Sequence, residues 1–179
     1  DDIQSSAFWA GGVGAILIFL YLLIRFRKWQ YGVGALGAVI HDSLILLAIF
    51  SIFWGEWFPF SLEIEQKFIA AILTVIGYSI NDTVIVFDRI REYFEEHPTR
   101  DIVTNVNAAI NSTLSRTLMT SFTTLLVVLI LFILGGEAIR GFSFALLIGI
   151  LVGTYSSIFI ASAIVVDTMK GVEKVKKNK

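Results

Sequence analysis

Apolar positions in this 179-residue chain fall into five long runs rather than alternating with polar ones. A run of about 20 apolar residues crosses ~30 Å of hydrocarbon as a helix. Spans are therefore expected at about 6–24, 32–53, 68–87, 117–134 and 141–166, the last long enough to tilt. Twelve of the 14 Lys and Arg lie in residues 25–28, in the connection 88–116 and in the tail from Asp167. By the positive-inside rule these segments are cytoplasmic, with the N-terminus external and the C-terminus cytoplasmic. Trp54, Trp57, Phe58 and Phe60 at one boundary, and Trp29 with Tyr31 at the other, read as interfacial anchors. Within the connection 88–116, Thr99 is a candidate N-cap. Ile102, Val103, Val106, Ile110 and Leu114 then make one face of an amphipathic helix at the membrane surface.

Composition agrees with an all-α integral membrane protein. Hydrophobic residues are 56% of the chain and charged residues 16%, with a mean hydropathy of +0.78. The absence of cysteine excludes disulfides and thiolate metal sites, and two histidines, His41 and His97, cannot assemble a zinc site. No metal, cofactor or nucleic acid is expected. The sequons at Asn81 and Asn111 fall in membrane and cytoplasm and are read as chance matches. The chain opens on Asp1-Asp2 with no signal peptide, and an odd number of spans with an external start suggests a preceding span and external segment.

The polar residues inside the spans carry the candidate chemistry. Asp82 lies roughly 9 Å inside the end of the third span marked by Asp88. A carboxylate there costs ~2.5–3.5 kcal/mol on insertion scales, so it calls for a function and a partner. Thr74, Tyr78 and Asp82 share a helix face, with Gly77 and Asn81 beside them. Arg116 opens the fourth span from the same side, followed by Thr120 and Thr124, with Thr117, Ser121 and Thr123 around them. A guanidinium near Asp82 favours the carboxylate and burial favours the neutral acid, so a movement separating the two would drive proton uptake. A static Asp82–Arg116 pair that fixes helix register fits the spacing as well. On the second span His41 and Asp42 either extend a hydrated path or hydrogen-bond a neighbouring helix, with Gly34 and Ala38 on the face of Asp42. Ala145, Gly149, Gly153, Ser157 and Ala161 recur every four residues and form a smooth ridge for helix packing.

Several longer motifs go beyond spacing. Val75-Ile76-Gly77-Tyr78-Ser79-Ile80-Asn81-Asp82-Thr83 runs into Phe87-Asp88-Arg89-Ile90-Arg91-Glu92. Leu114-Ser115-Arg116-Thr117-Leu118-Met119-Thr120-Ser121 follows, with Gly135-Gly136, Gly141-Phe142-Ser143, Gly153-Thr154-Tyr155-Ser156-Ser157 and Ala38-Val39-Ile40-His41-Asp42. In this order, and over nearly the whole chain, they resemble the SecF family of the bacterial SecDF protein-export complex, within the resistance-nodulation-division superfamily. The resemblance implies spans two to six of a six-span subunit, lacking here the first span and a large external domain. It also implies pairing with SecD, separate or fused, beside the SecYEG channel in the bacterial cytoplasmic membrane. There the proton-motive force would be used to pull preproteins outward. Asp82 and Arg116 match the family's proton-pathway aspartate and arginine. Three rival readings stay in view: a titration-free scaffold of the translocon, a small-molecule exporter of the same superfamily, and an intramembrane aspartic protease using Asp42 and Asp82. The last lacks the Gly-x-Gly-Asp pattern, having Ser79-Ile80-Asn81-Asp82 instead.

Overall fold

The computed structural model describes residues 2–53 and 66–177, so Trp54, Trp57, Phe58 and Phe60 lie outside the described residues. Every regular element in it is helical: α1 Asp2–Phe26, α2 Trp29–Ile52, α3 Gln66–Glu96, α4 Ile102–Leu134, α5 Glu137–Ser156 and α6 Ser162–Lys177, with a π-helical turn Ser157–Ala161 joining the last two. In a bilayer only intra-helical bonding satisfies the backbone of an open chain, and the apolar runs therefore fold as helices. By length and composition α2, α3, α4 and the continuous rod through α5 and α6 can each cross a membrane. The described apolar stretch of α1, Gly12–Phe26, is shorter. The protein is a multi-pass membrane bundle.

The connection expected over 88–116 is almost entirely helical. The third helix runs on to Glu96, and the amphipathic segment from Ile102 is continuous with the fourth span, so only residues 97–101 break the chain. The cap also moves from Thr99 to Asp101, whose carboxylate accepts from the N–H groups of Val103 at 3.0 Å and Thr104 at 3.3 Å. Thr99 lies instead in the turn closed by the Arg100 N–H to His97 carbonyl bond. With 31 and 33 residues, α3 and α4 reach roughly 45–50 Å and extend past the hydrocarbon. The protruding end of α3 is tied to α1 and α4 through its charged side chains. Arg25 pairs with Asp88 at 2.9 Å, and Arg89 donates to Ser112 at 2.9 Å.

Of the four helices long enough to span, the rod through α5 and α6 is the most buried and α4 the most open. The expected ridge explains this. Ala145, Gly149, Gly153, Ser157 and Ala161 are all buried. A Cβ on Gly149 would collide with Val75 of α3, and one on Gly153 would stand 3.2 Å from the Cβ of Ser79. Further along, a Cβ on Gly34 of α2 would stand 2.8 Å from the Ala161 carbonyl. Glycine at these positions lets backbones approach closely. The turn from α4 to α5 uses Gly136 at φ +73°, a conformation that favours glycine.

Apolar clusters fill both ends. One gathers Leu22, Phe26, Tyr31, Phe87, Ile90 and Val165, and the other Leu46, Phe50, Phe68, Ala71 and Ala145. Between them lies a layer of buried polar side chains from α2, α3, α4 and the central rod. Gly149→Val is expected to lower the thermal unfolding midpoint of the detergent-solubilised protein, because overpacking costs about 1–3 kcal/mol, and Val75→Ala should restore part of the loss. Gly77→Ala, with nothing within 4 Å of the added carbon, should leave the midpoint unchanged or raise it slightly.

Candidate functional site

The buried layer holds two aspartates in different surroundings. Asp42, on α2 and fully enclosed, accepts through one oxygen from Ser79 of α3 at 2.6 Å and from Ser156 of α5 at 2.8 Å. Its other oxygen stands 3.1 Å from Nδ1 of the half-buried His41. Three helices and a flanking imidazole thus meet at one carboxylate. Of the two readings open for Asp42, the geometry is that of a joint between helices. A carboxylate satisfied by several donors keeps its charge at lower cost in a medium that cannot solvate it.

Asp82, one turn along α3 from Ser79, is also buried but sparsely served. Among the described residues its one hydrogen bond is from Ser121 of α4, at 3.4 Å. Ser121 in turn receives the Tyr78 hydroxyl at 3.1 Å and lies 2.6 Å from the Thr154 hydroxyl. A proton on Asp82 would turn that carboxyl into a donor, and Ser121, already bonded to Tyr78 and Thr154, could reorient to receive it.

Both carboxylates are linked through the central rod. Ser157 donates within reach of the Ser79 carbonyl at 3.1 Å and the Gly153 carbonyl at 2.8 Å, and shares a 2.8 Å hydrogen bond with Thr83. The π turn begins at Ser157, and the Ser162 hydroxyl reaches back to the Ser157 carbonyl at 3.3 Å. Consecutive serines thereby serve different neighbours, Ser156 bonding α2 and Ser157 bonding α3. A π turn inside a long helix is often found where side chains are re-aimed for function.

Arg116 does not join this layer. It is exposed, and among the described residues no ion pair connects it to Asp82. The face shared by Thr74, Tyr78 and Asp82 is divided: Tyr78 and Asp82 lie towards the bundle, whereas Thr74, with Gly77 and Asn81 beside it, is exposed. Thr120 is exposed as well and returns its hydroxyl to the Arg116 carbonyl at 3.0 Å. Thr74 does the same to Ala70 at 2.8 Å. Such back-bonding satisfies a hydroxyl without a neighbour. Of the expected packing residues, Gly149 and Gly153 sit against Val75 and Ser79, while Ser157 also bonds through its side chain. Ser79 and Ser156, the donors to Asp42, were not singled out by the sequence. Both stood inside quoted motifs, but a lone serine on an apolar helix gives no indication of its partner.

The family described as "Protein export membrane protein SecD/SecF, C-terminal" matches residues 1–171. The chain belongs to this family. The SecD/SecF assignment bears out the resemblance read from the motifs. Among relatives, the "Protein translocase subunit SecF" of Rhodothermus marinus is 56% identical over 167 residues, which is 93% of this chain and 54% of that protein. The SecF of Petrotoga mobilis is 43% identical over 176 residues, 98% of this chain and 56% of that protein. The SecD/SecF bundle described here thus spans about half the length of the curated relatives it matches. A solved structure, "Crystal structure of SecDF in Super-membrane-facing form", is 43% identical with a TM-score of 0.85, covering 99% of this chain and 23% of that one.

The joint at Asp42 makes a stability prediction. Asp42→Ala leaves the Ser79 and Ser156 hydroxyls without their acceptor and should cost roughly 1–3 kcal/mol in denaturant titrations of the purified protein. Asp42→Asn, which keeps an acceptor oxygen, should cost less.

Proposed function

We propose that this chain is the membrane bundle of a SecF-type subunit. It works with SecD, separate or fused, beside the SecYEG channel, and uses the proton-motive force to promote preprotein translocation across the bacterial cytoplasmic membrane. Its role is transport rather than catalysis of a covalent step. The observation that carries this reading is the contrast between the two buried aspartates, one held by two serine donors beside an imidazole and the other, Asp82, by a single long hydrogen bond among the described residues. A sparsely bonded carboxylate at this depth is poised to exchange a proton. Identity to proteins named as SecF translocase subunits supports the same reading.

The exposed groups give the partner a place. Thr74, Gly77 and Asn81 of α3, with Arg116, Thr120 and Thr123 of α4, present polar or small side chains on the open side of the bundle. Polar and small residues on a membrane helix face suit another helix better than lipid. That face is where SecD would pack, and Arg116 would there meet a partner carboxylate or swing towards Asp82 during the cycle. The distribution of Lys and Arg supports an external N-terminus and cytoplasmic ends for the 25–28 turn, the α3–α4 connection and α6.

Each proton crossing the membrane carries roughly 2.3 kcal/mol per 100 mV, enough to shift a two-state packing equilibrium more than tenfold. Protonation of Asp82 would loosen its demand for donors from α4 and change which packing of α3, α4 and SecD is favoured. Preprotein export into vesicles carrying the full complex, driven by an imposed proton gradient, tests the mechanism. Asp82→Asn and Arg116→Ala should each lose most of the gradient-stimulated export while the complex still assembles. Export unchanged in both would leave a scaffold that titrates nothing.

A further inference from the structure

Where α1 turns into α2, the bundle forms an open cavity of about 750 Å³ lined by Arg25, Arg27, Lys28, Tyr31, Arg91 and Glu95, with Ile24, Phe26 and Phe94 as its apolar parts. Its charge is unbalanced. Arg25 is paired with Asp88 and Arg91 with Glu95, but among the described residues neither Arg27 nor Lys28 has a carboxylate partner. Lys28 instead stands 5.8 Å from the centre of the Phe94 ring.

Two further features call for an anion. Lys28 is the N-cap of α2, no side chain caps that end, and its first turn holds no acidic residue. A cation at a helix N-terminus opposes the helix dipole, and the free N–H groups there favour negative charge. The second feature is Tyr31. Its ring is buried between Phe26, 4.9 Å away and stacked, and Phe87, 5.1 Å away and edge-on, so its position is fixed. Among the described residues its hydroxyl has no hydrogen-bond partner. A buried hydroxyl left unmatched costs about 1–3 kcal/mol, and an acceptor in the cavity would remove that cost. Arg27 holds φ +55°, a conformation rare for residues other than glycine, at the turn that brings these groups together.

The apolar surroundings point to the source of the anion. Ile24, which lines the cavity, is 78% exposed, and Trp29, which follows Lys28 in the chain, is 46% exposed, so apolar surface adjoins the cations. Phosphate chemistry with an adjoining acyl surface describes a lipid. We propose that this cavity binds the phosphodiester headgroup of an anionic phospholipid, with Arg27, Lys28, the α2 N-terminus and the Tyr31 hydroxyl as its donors, and Ile24 and Trp29 against its chains. The lipid clips α1 to α2 and α3 at the membrane surface. The site is separate from the aspartate layer and independent of the role proposed for Asp82.

Native mass spectrometry of the full-length protein, given phosphatidylglycerol, phosphatidylcholine or inorganic phosphate in turn, tests the site. Phosphatidylglycerol should be retained well above phosphatidylcholine. Arg27→Gln with Lys28→Gln should weaken retention by about fivefold per cation, while Arg100→Gln, outside the cavity, should not. Tyr31→Phe keeps the ring stacking and should also weaken retention, with the unfolding midpoint in phosphatidylcholine raised rather than lowered, because the variant removes an unmatched buried hydroxyl. Equal retention of the two lipids would overturn the proposal, as would an equal loss on Arg100→Gln or no loss in the cavity variants. Inorganic phosphate occupying the cavity as readily as phosphatidylglycerol would identify a soluble anion and overturn the lipid assignment.

Discussion

A carboxylate enclosed among membrane helices must find its donors within the protein, and at Asp42 it finds them on two other helices at once. Ser79 brings α3 and Ser156 brings α5 to the same oxygen. Each of these bonds is stronger for lying in a low-dielectric layer, and each would leave a costly orphan if broken. The glycine ridge makes the bonds geometrically possible, because only a close approach of α3 to the central rod puts the hydroxyls within 3 Å of the carboxylate. Packing and hydrogen bonding are therefore one constraint: Gly153 sits against Ser79, and Ser79 reaches Asp42.

The same rod serves the other aspartate differently. Thr154, one position beyond Gly153, lies against Ser121, and through it the α4 side of Asp82 is reached. The π turn then starts at Ser157, whose hydroxyl lies within reach of α3 at Thr83 and the Ser79 carbonyl. The proposed protonation of Asp82 would thus act on a group whose neighbours touch the fixed joint at Asp42. In that arrangement one aspartate supplies the fulcrum and the other the variable charge. Most of α4 is open to its surroundings, so the wall of the layer that carries Ser121 is also its least enclosed one.

Charge organises the membrane-surface end of the bundle in the same economical way. The Phe87-to-Glu92 motif is a set of ties, Asp88 to α1 and Arg89 to α4, that hold the protruding end of α3 between its neighbours. Among the described residues Arg27 and Lys28 have no carboxylate partner, and they line the cavity that also holds the unmatched hydroxyl of Tyr31. Tyr31 was read as an interfacial anchor from its place in the sequence. In the fold it is buried, stacked between phenylalanines at the base of a cationic cavity.

The sequence by itself determined the helical class, the family and the glycine ridge. Each depends on residues a fixed number of positions apart on one helix, or on an unbroken apolar run, and lipid enforces both. It also marked Asp82 and Asp42 as the residues to explain, because an intramembrane charge is costly wherever it lies. Only the tertiary structure decided which donors each aspartate receives. Ser79 and Ser156 are 77 positions apart yet meet at Asp42, while Arg116, which spacing made a natural partner for Asp82, is exposed on the open face. Helical periodicity fixes the direction of a side chain relative to its own helix. The rotation of one helix against the next is set by how ridges and small residues pack, and no single helix carries that information.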